Sequence, residues 1–163
     1  MTPKFKADSE LGRALSHWHN GLHDDRSARA ELRRCNTIAA VIMTPTFHHL
    51  CQRWRPWIPE NRGGLDGLAA VIGLVAQLDE QNDKQTIAKQ MALPKGGGPI
   101  ISELRFRRLL QQQDRNELYP SMIRILRQLG RRADRHSLAN SVFFWGDGVR
   151  KDWAYDYYGN LGA

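Results

Sequence analysis

The sequence predicts an all-α protein of two small helical subdomains, and three observations lead there. Apolar residues recur at i, i+3, i+4 and i+7 rather than alternating. Capping residues and Pro/Gly breakers cut the 163 residues into pieces of helical length. No period-2 segment bounded by hairpin turns occurs, and no repeat of 20 to 50 residues is visible. A hydrophobic content of 41% with 25% charged residues is the balance of a chain that buries a core.

In order, Ser9 is placed to cap a first helix in which Leu11, Leu15, Trp18 and Leu22 share one face. Gly21 stands near its end, and Asp24 or Asp25 caps a second helix, Arg26 to Arg34, with alanines and Leu32 inward and Arg29, Arg33 and Arg34 outward. A short apolar piece, Ile38 to Met43, leads to Thr44-Pro45, where threonine caps and proline takes the first helical position of a helix through about Arg55. Pro56 and Pro59 break it. Leu65 to Leu78 is apolar all round apart from Asp66 and Gln77, which predicts the most buried helix of the N-terminal part. A short helix within Asp83 to Leu93 follows.

Pro94-Lys95-Gly96-Gly97-Gly98-Pro99 is expected to interrupt regular structure, so that 1–93 and 102–163 form two helical subdomains joined by a 94–101 linker. Ser102 then caps the first of two arginine-rich helices within Ile101 to Arg132. In the first, Phe106, Leu109 and Leu110 lie opposite Arg105, Arg107 and Arg108. In the second, Leu118, Met122, Ile125, Leu126 and Leu129 lie opposite Arg124, Arg127 and Arg131. Helices over Asp134 to Trp145 and Val149 to Tyr158 close the chain, with Trp145, Trp153, Tyr155, Tyr157 and Tyr158 expected mostly in the core.

The net charge of +7 points to a polyanionic partner. It is uneven: nine basic against six acidic residues over 1–60, three against four over 61–92, and twelve against seven over 93–163. Arg105 to Arg135 alone holds nine arginines and three acids, whereas a face built only for solubility mixes both signs. The expected nucleic-acid surface is Arg105, Arg107, Arg108, Arg124, Arg127, Arg131, Arg132, Arg150 and Lys151. A secondary basic patch comprises Arg29, Arg33, Arg34, Lys89 and Lys95.

Other chemistries find little support. His19 and His23 stand four apart, but Asn20 replaces the glutamate of an H-E-x-x-H metal helix and no third ligand is evident. The adjacent His48 and His49 fall on different helix faces. Gly96 to Gly98 follow Lys95 in the wrong order for a phosphate-binding loop. Asp147, Asp152 and Asp156 read as caps and partners of Arg150 and Lys151 rather than two-metal ligands. The expectation is therefore no enzyme, no cofactor, no metal and no small-molecule substrate. Cys35 and Cys51 read as reduced thiols, and with no apolar run of membrane length the chain is expected in the cytoplasm, away from membranes.

Three stretches carry a resemblance: SELRFRRLL from Ser102 to Leu110; D-R-x-E-L from Asp114 with L-R-Q-L ending at Leu129; and F-W-G-D-x-V-R-x-x-W-x-x-D-Y-Y-G from Phe144 to Gly159. They resemble the CasB family, the small subunit of the type I-E CRISPR surveillance complex, Cascade. The opening WHNGLHDDRSARAELRRC, with Trp18, Asp25, Arg26, Ala28, Ala30, Leu32 and Arg33, is similar to the family's start. The resemblance implies an all-helical, non-enzymatic subunit present in two copies beside the guide-RNA-holding backbone subunits and the large subunit. It also implies crRNA and target DNA as ligands, with a basic surface that stabilises the R-loop. The loop from Gln90 to Ile100 carries no family motif.

Because the guide already reads sequence, such a surface needs only backbone contacts, for which the arginine fork is suited. The alternatives are a helical scaffold whose basic face meets an acidic protein, and a free-standing single-strand binder.

Overall fold

The structure, a computed structural model, describes residues 5–162. It contains ten α-helices among these residues, in chain order α1 Glu10–Gly21, α2 Arg26–Arg33, α3 Ile38–Ile42, α4 Pro45–Trp54, α5 Arg62–Val75, α6 Ile87–Met91, α7 Glu103–Leu110, α8 Arg115–Gln128, α9 Arg135–Phe143 and α10 Asp147–Tyr158. Four strands of two residues each are the only extended pairings described: β1 (Glu80–Gln81) with β4 (Arg132–Ala133) in parallel, and β2 (Pro94–Lys95) with β3 (Gly98–Pro99) antiparallel. The protein is all-α.

The caps lie where their chemistry demands. Ser9, Asp25, Thr44 and Ser102 accept from the backbone N–H of Gly12, Ala28, Phe47 and Arg105, each satisfying a donor that the first helical turn leaves unpaired. Pro45 occupies the first turn of α4, where its missing N–H costs nothing.

The central helix α5 is buried from Gly67 to Val75 and packs against α3, α8 and α9. Burial of each large aliphatic side chain here contributes about 1.5–3 kcal/mol. Gly73 permits the closest of these approaches. A Cβ at that position would stand 2.0 Å from the Tyr119 hydroxyl, and Tyr119 is itself held in the core with its hydroxyl donating to the Cys35 carbonyl.

The helical hydrogen bonds of α5 stop at Ala76, and the carbonyls beyond would be orphaned in the core. Side chains from three other elements meet them. Arg33 donates through Nε to the Ala76 carbonyl and through Nη2 to Asp79, Arg131 donates to both Oε1 and the carbonyl of Gln77, and His19 bonds the Leu78 carbonyl at 2.9 Å. Arg135, buried, completes the cluster through His19 and Asn20. Two expectations are thereby corrected. Arg33 does not point outward from α2, and Arg131 does not continue the α8 stripe, because the helix ends at Gln128 and Arg131 turns back with φ +57.

The 94–99 segment, expected to be irregular, is a tight hairpin. Gly96 supplies the positive φ of its turn, 66°, and the Ile100 N–H donates to Leu93 to extend the ladder. Its tip is exposed while Ile101 just beyond is fully buried, and the Tyr157 hydroxyl donates to the Ile101 carbonyl. Packing crosses this segment, since α6 lies on α10 and α5 on α8 and α9. The buried apolar residues form one cluster from Phe5 to Tyr157.

Candidate nucleic-acid interface

Helices α7 and α8 flank an open groove of about 270 Å³, and each contributes residues at the same spacing. From α7 and the turn after it come Arg105, Arg108, Leu109 and Gln112; from α8 come Ser121, Arg124, Ile125 and Gln128. Both sets run i, i+3, i+4, i+7, the ridge of one helix face. Leu109 and Ile125 are buried and form the floor, while the three guanidinium groups are exposed on the walls.

The electrostatics of the groove are one-sided. Among the described residues, Arg105, Arg108 and Arg124 have no carboxylate partner; the guanidinium of Arg124 only reaches the Ser121 hydroxyl at 3.5 Å. The Oε1 of Gln128 is buried without a hydrogen-bond partner among the described residues. Three free forks around a polar trough present donors for phosphate oxygens at little conformational cost. The edge of the trough is fixed from the turn after α9 by Trp145, whose Nε1–H donates to the Gln112 carbonyl at 2.9 Å.

The remaining basic residues divide into exposed and internally bound groups. Arg107 and Arg127 are exposed on α7 and α8 outside the groove, and Lys151 is exposed on α10. Arg132 pairs loosely with Glu80 at 3.4 Å across the β1–β4 bridge, both side chains being well exposed. Arg150 is bound to Asp147 and donates to the Leu110 carbonyl at the end of α7, and Arg131 is held by Gln77. Burial lowers the pKa of the Arg131 guanidinium from its ordinary value. In the secondary patch Arg34 and Lys95 are exposed, Arg29 and Lys89 half-buried, and Arg33 serves the α5 terminus.

The family model for CRISPR-associated protein Cse2 matches residues 28–158, most of the chain. The chain belongs to the Cse2 family. The fold agrees: a chain in the crystal structure of E. coli Cascade bound to a PAM-containing dsDNA target superposes on it with a TM-score of 0.72 at 20% identity, covering 91% of this chain and 94% of that one. No curated protein matches this Cse2-family chain.

Sequence reasoning about the Cse2-family chain found the groove's arginines but not their neighbours. Gln112, Ser121 and Gln128 were legible only as members of the two matching i, i+3, i+4, i+7 series. The aromatic expectation needs correction as well. Trp153 and Tyr157 are buried, but Tyr155 is 80% and Tyr158 42% exposed. Position explains it, since Lys151, Tyr155 and Tyr158 follow i, i+4, i+7 along the face of α10 opposite Trp153 and Tyr157.

Proposed function

We propose that this chain is the non-catalytic small subunit of a type I-E Cascade complex and holds nucleic-acid backbone in the α7–α8 groove, stabilising the R-loop without reading sequence. The convergence of Arg105, Arg108 and Arg124, free of internal anions, on one groove carries this reading. Family membership and the likeness to a chain of E. coli Cascade support it. R-loop formation exchanges one duplex for another of similar stability, so a few backbone contacts suffice to tip it. Arg107, Arg127, Arg132 and Lys151 extend the positive field along which a strand approaches the groove. The partners on this reading are the backbone and large subunits, a second copy of the chain, crRNA and target DNA.

Fluorescence anisotropy with labelled single- and double-stranded oligonucleotides of unrelated sequence tests the proposal. Binding should be weak, indifferent to sequence, and fall with salt by about 0.9 log units per log unit of salt for each phosphate contacted on duplex, about 0.7 on single strands. Replacing Arg105, Arg108 and Arg124 by alanine should reduce that slope by about 1 per lost contact. Affinity that ignored salt, or that survived the triple replacement, would overturn the groove assignment and leave the basic face to an acidic protein surface.

A further inference from the structure

A second groove is larger than the arginine one. It lies between α9 and α10, about 1020 Å³, and its character is opposite. Asp152 and Asp156 stand on its α10 wall, Phe144 and Val149 are half-buried in it, and Tyr155, 80% exposed, stands at its rim. Asp152 has no internal partner among the described residues, and Asp156 spends one oxygen on the Thr86 hydroxyl at 2.8 Å. In a chain of net charge +7, a groove lined by Asp134, Asp152 and Asp156 against a single lysine, Lys6, is a local reversal of sign. Its balance of charge favours a cationic partner over a phosphate backbone.

We infer that the α9–α10 groove is a protein-docking surface, and that its occupant is a segment of a different Cascade subunit, not a second copy of this chain, carrying lysine or arginine beside an aliphatic side chain. Charge complementarity selects the basic residue, which Asp152 and Asp156 receive. The half-buried Phe144 and Val149 supply apolar surface for the aliphatic one. Tyr155 is the anchor: a tyrosine offers large contact area with few rotors to freeze, and tyrosine is enriched among the residues that carry the binding energy of protein interfaces. The two grooves thus assign nucleic acid to α7–α8 and protein to α9–α10. This inference rests on the Cascade reading and goes beyond it by naming the surface and the chemistry of the partner.

The test is reconstitution of the cognate complex with tagged wild-type or variant full-length subunit, quantifying the incorporated subunit by native mass spectrometry. Asp152 and Tyr155 are exposed and make no described side-chain contact, so their variants should fold, which circular dichroism checks. Tyr155→Ala and Asp152→Lys should each weaken incorporation about tenfold, Asp152→Asn less, and Asp152→Glu and Tyr155→Phe hardly at all. Oligonucleotide affinity of the isolated variants should be unchanged for the uncharged substitutions. Wild-type subunit that fails to assemble refutes the Cascade reading itself, and this inference with it. Wild-type and all variants assembling equally refutes the docking surface alone. Loss of oligonucleotide binding in Tyr155→Ala would assign the groove to nucleic acid instead, and a wild-type dimer in solution that Asp152→Lys splits into monomers would give the occupant as a second copy; either result overturns the inference.

Discussion

His19 should make this protein lose stability in mild acid, and the size of the loss follows from its surroundings. One ring nitrogen, Nε2, bonds the Leu78 carbonyl, and the other, Nδ1, faces a guanidinium N–H of Arg135 at 3.1 Å. These partners require a neutral ring with Nε2–H donating and Nδ1 accepting. A proton on Nδ1 would set N–H against N–H. Burial, opposed by the Leu78 hydrogen bond and reinforced by the charges of Arg135, His23 and Arg33, lowers the pKa from 6.5 to about 4. The unfolded chain therefore takes up this proton first as pH falls. The contribution is complete above pH 6.5, is lost progressively between 6.5 and about 4, and changes no further below that. At about 1.4 kcal/mol per pH unit the whole window is worth about 3 kcal/mol, a large share of the 5–15 kcal/mol typical of a domain. Urea unfolding at pH 7.5, 6, 5 and 4.5 measures it, with His19→Gln as reference, since a glutamine can donate to Leu78 and accept from Arg135 without titrating. The wild-type curve should fall more steeply than that of His19→Gln by about 1 kcal/mol per unit below pH 6. Parallel curves would refute the assignment of the acid sensitivity to His19.

Gly73→Ala should destabilise by about 1–3 kcal/mol despite alanine's better helix propensity, because its Cβ would meet Tyr119 and Val41 at 2.0 and 2.8 Å; thermal denaturation reads the loss. Arg131→Ala should cost about 1–3 kcal/mol by leaving buried Gln77 acceptors unpaired, while oligonucleotide affinity, measured on the folded fraction, stays at the wild-type value. Limited proteolysis should cut first at the exposed Gly96–Gly97 turn, and because α6 packs on α10 the two fragments should co-elute on gel filtration. A first cut elsewhere would count against this turn as the most accessible point of the chain.

What could be read from the sequence was what depends on local rules. Caps at Ser9, Thr44 and Ser102, the proline at position one of α4 and the apolar stripes of α7 and α8 are decided within one or two turns, and the residues doing it are adjacent in sequence. The all-round apolar run at Leu65 to Leu78 announced its burial, though the helix begins at Arg62 and ends at Val75. Its end was hidden because it is set by distant side chains: His19, Arg33 and Arg131 come from three other parts of the chain. The same fact blurred the site. Periodicity assigns an arginine to the outside of a helix, but it does not foresee that α8 stops at Gln128 or that an orphaned carbonyl lies within reach of Arg33. Composition likewise averaged away the acidic groove of α9 and α10, since its carboxylates are only a helical turn from Arg150 and Lys151.

Arginine's two uses here make a last expectation possible. Its fork satisfies buried carbonyls at the end of α5, and the same fork, left without a carboxylate partner in the α7–α8 groove, is free to meet phosphate on the proposed reading. Counting charges merges the two populations; structure separates them, and only the second should govern R-loop lifetime. On the proposed reading the isolated subunit, with three free arginines, should bind weakly, yet within a complex the strand would be presented at an effective concentration in the millimolar range, where a weak contact is occupied. If each groove arginine contributes about 1 kcal/mol at physiological salt, replacing Arg105, Arg108 and Arg124 by alanine shortens the R-loop lifetime by roughly a hundredfold. Helix content should not change, because all three are exposed and alanine favours helix. The rebuilt complex should retain its guide and its recognition of the short DNA motif beside the target, neither of which passes through this groove on the proposed reading. Dissociation of a fluorescent target strand decides the matter: equal lifetimes for wild-type and triple variant, with the variant subunit shown to be incorporated, would mean that the groove does not touch the strand.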